Sequence, residues 1–418
     1  MAQLSDDCFA FGGALMRVEE ALGLLAARLR PVTGTETVGL HEAAGRVLAA
    51  DLVAPIDVPP FANSAVDGYA VRHADLSAEG ETVLQVGGRV AAGGALGRAL
   101  RPREAIRIFT GAPLPEGADT VFMQEDVEAL GDGAVRLPAG LKRGANARAA
   151  GEDVAAGSVI LRAGRRLRPQ DLGLAASVGL TEIAVRTPLR VALFSTGDEI
   201  AEPGRPLAPG QLYDSNRFTL GALLRCLGCR VTDLGILPDR RESVAEALAS
   251  AAPGHDLILT SGGVSTGEED HVKAAVEATG SLFLWRLAIK PGRPVAMGQV
   301  SGTAFVGLPG NPVAVMVTFA HIVRPLVLHL AGALASPPTR FAVRAAFDYR
   351  KKRGRREYVR VTLARGEDGT TEARKFPRDG AGILSSLVES DGLVELAEET
   401  TTVSPGETIA FLPFSELA

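Results

Sequence analysis

The chain is short of cysteine, with three in 418 residues: Cys8, Cys226 and Cys229. That excludes a disulfide scaffold, and although the last two form a CxxC, no second pair or nearby histidine completes a zinc site. They end an apolar-periodic stretch, GALLRCLGC, and read as small packing residues in a reducing compartment. A basic excess is lacking as well. The formal net charge of −5 gives no general pull toward nucleic acid or an anionic membrane, so any basic site must be local. One such run, KKRGRREYVR at 351–360, reads when taken alone as a solvated strand or hairpin. The most apolar window, PVAVMVTFAHIVRPLVLHLAGALA, is interrupted by His321, Arg324 and Pro325. It fits a buried helix with a break better than a membrane span. The opening residues MAQLSDDCFA are acidic and carry no basic-then-apolar leader, so a signal peptide is not expected and the expected location is cytoplasmic.

What is present is ordinary globular material, 46% hydrophobic and 22% charged, in a length that implies two to four domains. From about Arg190 to Leu330, apolar β-type runs alternate with helical periods. VALFS is followed by Leu220, Leu223, Leu224 and Leu227 at i, i+3, i+4, i+7. RVTDLGIL is followed by Val244, Ala247, Leu248 and Ala251, and DLILT by HVKAAVEATG, where Gly280 suggests a C-cap. FLWRLAIK and AFVGLP close the series. Such alternation predicts a doubly wound parallel α/β domain at 188–332. The flanks differ. Short β segments broken by Gly and Pro predict an inserted β subdomain at 54–149. Helical patterns (VEEALGLLAARL, LHEAAGRVLAADL, PQDLGLAASVG) place a discontinuous region at 1–53 and 150–187, and short Gly-punctuated strands mark a small β domain at 335–418. The fold class is therefore multidomain α/β plus β.

Ligands of open α/β sheets bind beyond the carboxyl ends of the strands. Here those ends deliver TGDE, PD, SGGVSTGEED, KPGRP and LPGNP. Gly-Ser loops that lead into helices offer N–H groups to anions, yet three of these five segments also carry carboxylates. An anionic ligand held together with a cation would reconcile the two. Each element also has a plainer reading. Asp239 with Glu242 fits a capping box, as do Ser243 with Glu246 and Thr266 with Glu269. Asp198 and Glu199 could favourably charge a helix N-terminus, and Pro312 marks a helix start. Asp67-Gly68, between apolar residues, reads first as a hairpin turn. Lys290 stands out because the chain has only six lysines against 38 arginines. An ammonium between a strand and a Pro-Gly turn could neutralise a phosphate.

In order, NSAVDGYAV, FTGAPLPEGADTVFMQED, GEDV, FSTGDE, SGGVSTGEED, LAIKPGRP and GLPGNPVA resemble the molybdopterin molybdenumtransferases, the MoeA family that includes the gephyrin E domain. The resemblance runs from about residue 15 to the C-terminus. It implies four subdomains: a discontinuous elongated one, a β insertion, a molybdopterin-binding α/β domain and a C-terminal β barrel. It also implies a homodimer whose active site lies between subunits. The implied reaction inserts molybdate into adenylylated molybdopterin, with cleavage of the pyrophosphate linkage, release of AMP and help from a divalent cation, Mg²⁺. The implied catalytic residues are Asp67, Thr110, Asp153, Glu199, Asp239, Asp270 and Lys290, with Glu199, Asp239 and Asp270 as metal ligands. Ser261, Gly262, Gly263, Ser265, Gly267, Pro309, Gly310 and Asn311 would hold the substrate, with Arg286, Arg293, Arg355 and Arg360 supplying positive charge. Arg286 and Arg293 stand where many relatives have lysine, and Ala381 where some have a serine. The implied partners are small molecules, with transient contacts to the adenylyltransferase and to molybdoenzyme maturation proteins. Two other readings share the fold: a non-catalytic scaffold, as in the gephyrin relative, and the adenylyltransferase that makes the substrate. The latter needs neither the region upstream of the α/β domain nor the barrel.

Overall fold

The computed structural model describes residues 15–263, 271–335 and 337–417. Its centre is a six-stranded sheet of β1 (Arg190–Thr196), β2 (Arg230–Leu237), β3 (Leu257–Ser261), β4 (Gly280–Arg286), β5 (Pro294–Val300) and β6 (Thr303–Leu308), in the order β2-β1-β3-β6-β5-β4. β2, β1, β3 and β6 pair in parallel. β5 runs antiparallel to both β6 and β4. The parallel reading therefore holds except for PVAMGQV, a strand that the alternation of apolar runs and helices did not separate from the loop before it. Because β5 reverses the chain, β4 points the same way as the core strands, and the segment after it stays on their carboxyl edge.

The four inner strands are apolar on both faces, as a sheet covered on both sides requires. Val191 and Leu193 of β1 join one cluster with Leu220, Leu224, Phe319 and Ile322. Ala192 and Phe194 join the other, with Val244, Leu248, Val272 and Val276. Helices Asn216–Cys226 and Pro312–Leu330 cover the first face, and Arg241–Ala251 and His271–Thr279 the second. Helix Pro312–Leu330 is long and apolar enough to cross a membrane, but 83% of its most apolar window is buried inside the protein. Its expected break is a π-helical stretch, Phe319–Val323, just before Pro325.

Several local expectations change. Gly280 is not a left-handed cap; it begins β4, where a Cβ would sit 2.1 Å from the Gln299 carbonyl oxygen. LHEAAGRVLAADL forms only a 3₁₀ turn at Leu40–Glu42, since Gly45 at φ 75° turns the chain out of the helix. Helix Val18–Arg28 packs into the α/β core through Val18, Ala21 and Leu25. Cys229 is buried, and burial pushes its thiol up to about 12, whereas Cys226 is exposed.

The N-terminal region is built from small antiparallel pairs, Thr35–Gly39 with Glu182–Arg186 and Leu52–Val53 with Val159–Leu161. Between them sits a six-stranded sheet that runs from Gly68–Val71 to Ala134–Leu137 in sequence. At the C-terminus, strand Arg356–Arg365 pairs with both Thr371–Lys375 and Gly392–Leu396, closing a five-stranded barrel around Val343, Val361, Val394 and Phe411. Ile289–Lys290, from the α/β domain, adds in parallel to that strand and ties the two domains together.

Candidate active site

A cavity of about 260 Å³ opens at the carboxyl ends of β1, β3 and β6. Ser195, Thr196 and Glu199 line it from the first strand end, Ser261 and Gly262 from the second, and Gly310 and Asn311 from the third. Asp214 and Asn216 contribute from the loop entering helix Asn216–Cys226. Backbone geometry demands the glycines. Gly262 has φ 90°, and a Cβ there would lie 2.6 Å from the Thr196 carbonyl oxygen. Gly263, at φ 66°, would meet Thr196 and Val272 side chains at 2.6 Å. The Gly262 N–H donates to the Leu308 carbonyl at 3.1 Å, so this loop and the turn after β6 are pinned together. Gly197, at φ 144°, leaves room for the Glu199 carboxylate to fold back over it; a Cβ would be 2.5 Å from that carboxylate.

For Asp198, Glu199 and Asp239 the simpler readings do not survive the structure. Asp198-Glu199 precedes no helix; the Glu199 carbonyl accepts from Leu212 N–H, joining two short strands. Helix Arg241–Ala251 has no side-chain cap, so Asp239 is not spent on one. It instead accepts from Thr196 Oγ at 3.3 Å, at the back of the cavity wall. The buried Ser195 hydroxyl, also in the wall, has no hydrogen-bond partner among the described residues. A buried polar group without a partner costs about 1–3 kcal/mol, which a ligand group could recover. Asp214 is committed: it accepts from Arg217 Nε at 3.0 Å, and the same guanidinium meets Asp233 and Glu202. Asp214 and Asn216 were absent from the residues expected at the site. The signal for them was the polar run YDSN just before an apolar-periodic helix, readable as a cap and as rim residues alike.

Ser265, Gly267 and Asp270 lie outside the described residues, as does the Thr266–Glu269 pair. Pro309 adjoins the cavity by its carbonyl, 3.4 Å from Ser261 Oγ. Lys290 is not in the cavity lining. Its ammonium donates to Glu357 of the barrel at 3.2 Å, and Glu357 also accepts from Arg355 Nε at 2.8 Å and Tyr349 OH at 2.9 Å. Arg360 is nearly buried rather than solvated and donates to the carbonyls of Gly380 and Arg378 at 2.6 and 3.4 Å. That loop reaches the third rim segment, where the Ala381 carbonyl accepts from Val313 N–H at 3.0 Å. Arg286 and Arg293 are exposed at either end of the β4–β5 connection.

In the insertion, Asp67 and Thr110 meet: Asp67 Oδ1 accepts from both the N–H and the hydroxyl of Thr110, each at 2.8 Å. The amide, then the hydroxyl, hold the Asp67 carboxyl below its usual range. Asp67-Gly68 is no hairpin turn, because Asn63–Ser64 and Gly68–Val71 belong to different sheets. Asp153 is exposed, in a loop tied through its N–H to the Val58 carbonyl. No residue of 54–149 lines the cavity.

Among the described residues, no group of three or more His, Cys, Asp or Glu could hold a metal by itself. Mg²⁺ does not need one, since it is commonly held by one or two carboxylates together with substrate phosphates. Glu199 at the cavity and Asp239 behind Thr196 are donors of that hard-oxygen kind.

A mixed α/β sheet with a glycine-lined rim cavity, joined to a closed barrel and a discontinuous N-terminal region, defines a multidomain small-molecule-binding protein. Family descriptions match along the chain: the MoeA N-terminal region (domains I and II) at 16–179, a probable molybdopterin binding domain at 192–329, and the MoeA C-terminal region (domain IV) at 342–414. The molybdopterin molybdenumtransferase of Haemophilus influenzae is 41% identical over 404 residues, 96% of this chain and all of that one. Molybdopterin molybdenumtransferase 2 of Mycobacterium tuberculosis is 39% identical over 90% of this chain and 93% of its own. The crystal structure of the MoeA molybdopterin biosynthesis protein of Pyrococcus horikoshii superposes with a TM-score of 0.81 at 30% identity, covering 96% of this chain and 100% of that one. The chain belongs to the MoeA family of molybdopterin molybdenumtransferases.

Proposed function

We propose that this protein is a molybdopterin molybdenumtransferase of molybdenum cofactor biosynthesis, inserting molybdenum from molybdate into adenylylated molybdopterin with release of AMP. The observation that carries the reading is the cavity where Glu199, Ser261, Gly262, Gly310 and Asn311 converge on one sheet edge. Glycines at Gly262 and Gly263 keep the backbone open to an anion, as phosphate-binding loops require. Glu199 and Asp239 would hold Mg²⁺, which when bound would neutralise phosphate oxygens beside the carboxylates. The chain's own groups orient the substrate: the Ser261 loop and the Gly310 turn set the walls, and the Ser195 hydroxyl, unpartnered among the described residues, offers a hydrogen bond within them. Lys290 and Arg355, on a shared Glu357, form a second cationic group beside the barrel. With Arg293 it is suited to attract molybdate.

Asp67, with its two hydrogen bonds from Thr110, stays an ionised base or ligand. Because no part of its subdomain lines the cavity, a homodimer in which one subunit's Asp67, Thr110 and Asp153 face the other's rim accounts for a complete site. The absence of a basic surplus and the burial of the one long apolar helix among the described residues favour a cytoplasmic protein that handles small molecules.

A single-turnover assay with adenylylated molybdopterin, Mg²⁺ and molybdate tests the reaction by AMP release. Molybdate-dependent release is expected; substrate binding without any release would leave only a binding or scaffold role. Mixing inactive Asp67→Asn and Glu199→Gln proteins tests the shared site. Recovery of activity on subunit exchange is expected, and none would mean that each chain carries its own complete site.

A further inference from the structure

Residue Asn216 heads helix Asn216–Cys226, and its side chain bridges two walls of the cavity. Nδ2 donates to Ser261 Oγ at 2.9 Å and to the Gly310 carbonyl oxygen at 2.6 Å, while Ser261 Oγ reaches the Pro309 carbonyl at 3.4 Å. Both hydrogens of the carboxamide are thereby used. This assigns the amide orientation, because an oxygen in that place would face the Gly310 carbonyl lone pairs. Oδ1 remains an acceptor that no hydrogen bond among the described residues occupies.

Cavity width depends on these bonds. The Ser261–Gly262 segment follows β3 and the Pro309–Asn311 turn follows β6, so the two leave neighbouring strands of one sheet. Beyond the last strand pairing, the Gly262 N–H to Leu308 carbonyl bond and the Asn216 bridge tie them. Asn216 is itself anchored: the neighbouring Asp214 and Arg217 are buried and paired, and the Arg217 guanidinium also meets the partly exposed Asp233 and Glu202. The bridge therefore hangs from a fixed point rather than from a mobile loop.

We propose that Asn216 is a positioning residue that fixes the distance between the Ser261 loop and the Gly310 turn, so that both can engage one substrate at once. The proposal rests on the transferase reading for the identity of the substrate, but not for the bridge itself. Aspartate is the decisive replacement. Asn216→Asp keeps the shape, removes both donors and sets a carboxylate against the Gly310 oxygen.

The test uses the full chain and two readouts. In hydrogen exchange without ligand, Asn216→Ala should speed exchange of the Gly262 amide at least tenfold while amides in β1 stay unchanged. In titrations with adenylylated molybdopterin, Asn216→Asp should weaken binding at least tenfold. Asn216→Ala and Ser261→Ala should each weaken it severalfold, and their combination should fall well short of the product of the two, since both remove the shared Asn216–Ser261 bond. Unchanged Gly262 exchange overturns the bridge. So do binding by Asn216→Asp within twofold of the native protein, or single effects that multiply. If the native chain fails to bind the substrate, the transferase reading fails, and the exchange result alone decides the bridge.

Discussion

Thr110 gives both its backbone N–H and its hydroxyl to one oxygen of Asp67, at 2.8 Å each. The amide is the larger cause of the lowered carboxyl pKa, the hydroxyl the second. Thr110→Val keeps the amide bond and removes the hydroxyl, so the Asp67 pKa should rise part of the way toward 3.8. The sign comes from the depressed folded value. The contribution to stability is present above the ordinary carboxylate pKa and is lost as pH falls through the lower, folded one. Carboxyl NMR titration checks this; an unmoved Asp67 resonance midpoint would refute it. Asp67→Asn should cost turnover about a hundredfold or more while leaving substrate affinity at the rim nearly intact.

Gly68 follows Asp67, and its role is close approach rather than a turn. A Cβ there would stand 1.7 Å from the Phe122 carbonyl oxygen, across the Gly68↔Met123 pairing. Because the obstacle is backbone, relaxation means parting two strands. Gly68→Ala should destabilise by about 3 kcal/mol, at the upper end of overpacking costs. Denaturant midpoints measure it, and a loss under about 1 kcal/mol would mean that the strands yield easily.

How far the sequence could be read depended on whether a feature was periodic or spatial. β1 and the helix with Leu220 and Leu224 were legible because burial on set faces writes itself into spacing. β5 was not, since PVAMGQV lies between one Pro-Gly turn and another tight turn with no change of apolar character. Glu199 and Asn311 were reachable because each stands a few residues past the end of an apolar strand. Asn216 was not, because its role lies in reaching across to Ser261 and Gly310, which are distant in sequence. Lys290 was placed on the correct edge by its position after β4, but its partner Glu357 comes from another domain, which no spacing encodes.

His321 is buried in the π-helical stretch, stacked on Tyr358 with ring centroids 4.3 Å apart, and its Nε2 has no partner among the described residues. Burial, with Arg340 and Arg356 nearby, pushes its pKa down to about 3. The unfolded chain takes up a proton near 6.5 while the folded one does not, so stability is lost as pH falls from about 6.5 toward 3. Between pH 7 and pH 5 this group should remove about 2 kcal/mol. Urea unfolding of native protein and His321→Gln at both pH values gives the difference. Equal pH slopes for the two proteins would place the titration elsewhere.

Glu357 is buried to 1% exposure, with Lys290, Arg355 and Tyr349 donating to its two oxygens. Removing it leaves two cations side by side, at the point where Ile289–Lys290 joins the barrel as an added strand. A buried pair broken from one side costs about 3–5 kcal/mol, but Lys290 is 52% exposed and solvent takes up part of the loss. Glu357→Ala should therefore cost about 2 kcal/mol, and Glu357→Gln less, because an amide oxygen still accepts one of the three bonds. Lys290→Ala should cost well under about 1 kcal/mol, as Glu357 keeps two donors. Urea midpoints for the three variants rank them. If Lys290→Ala proved the most costly, the lysine rather than the buried carboxylate would be the centre of the contact between the α/β domain and the barrel.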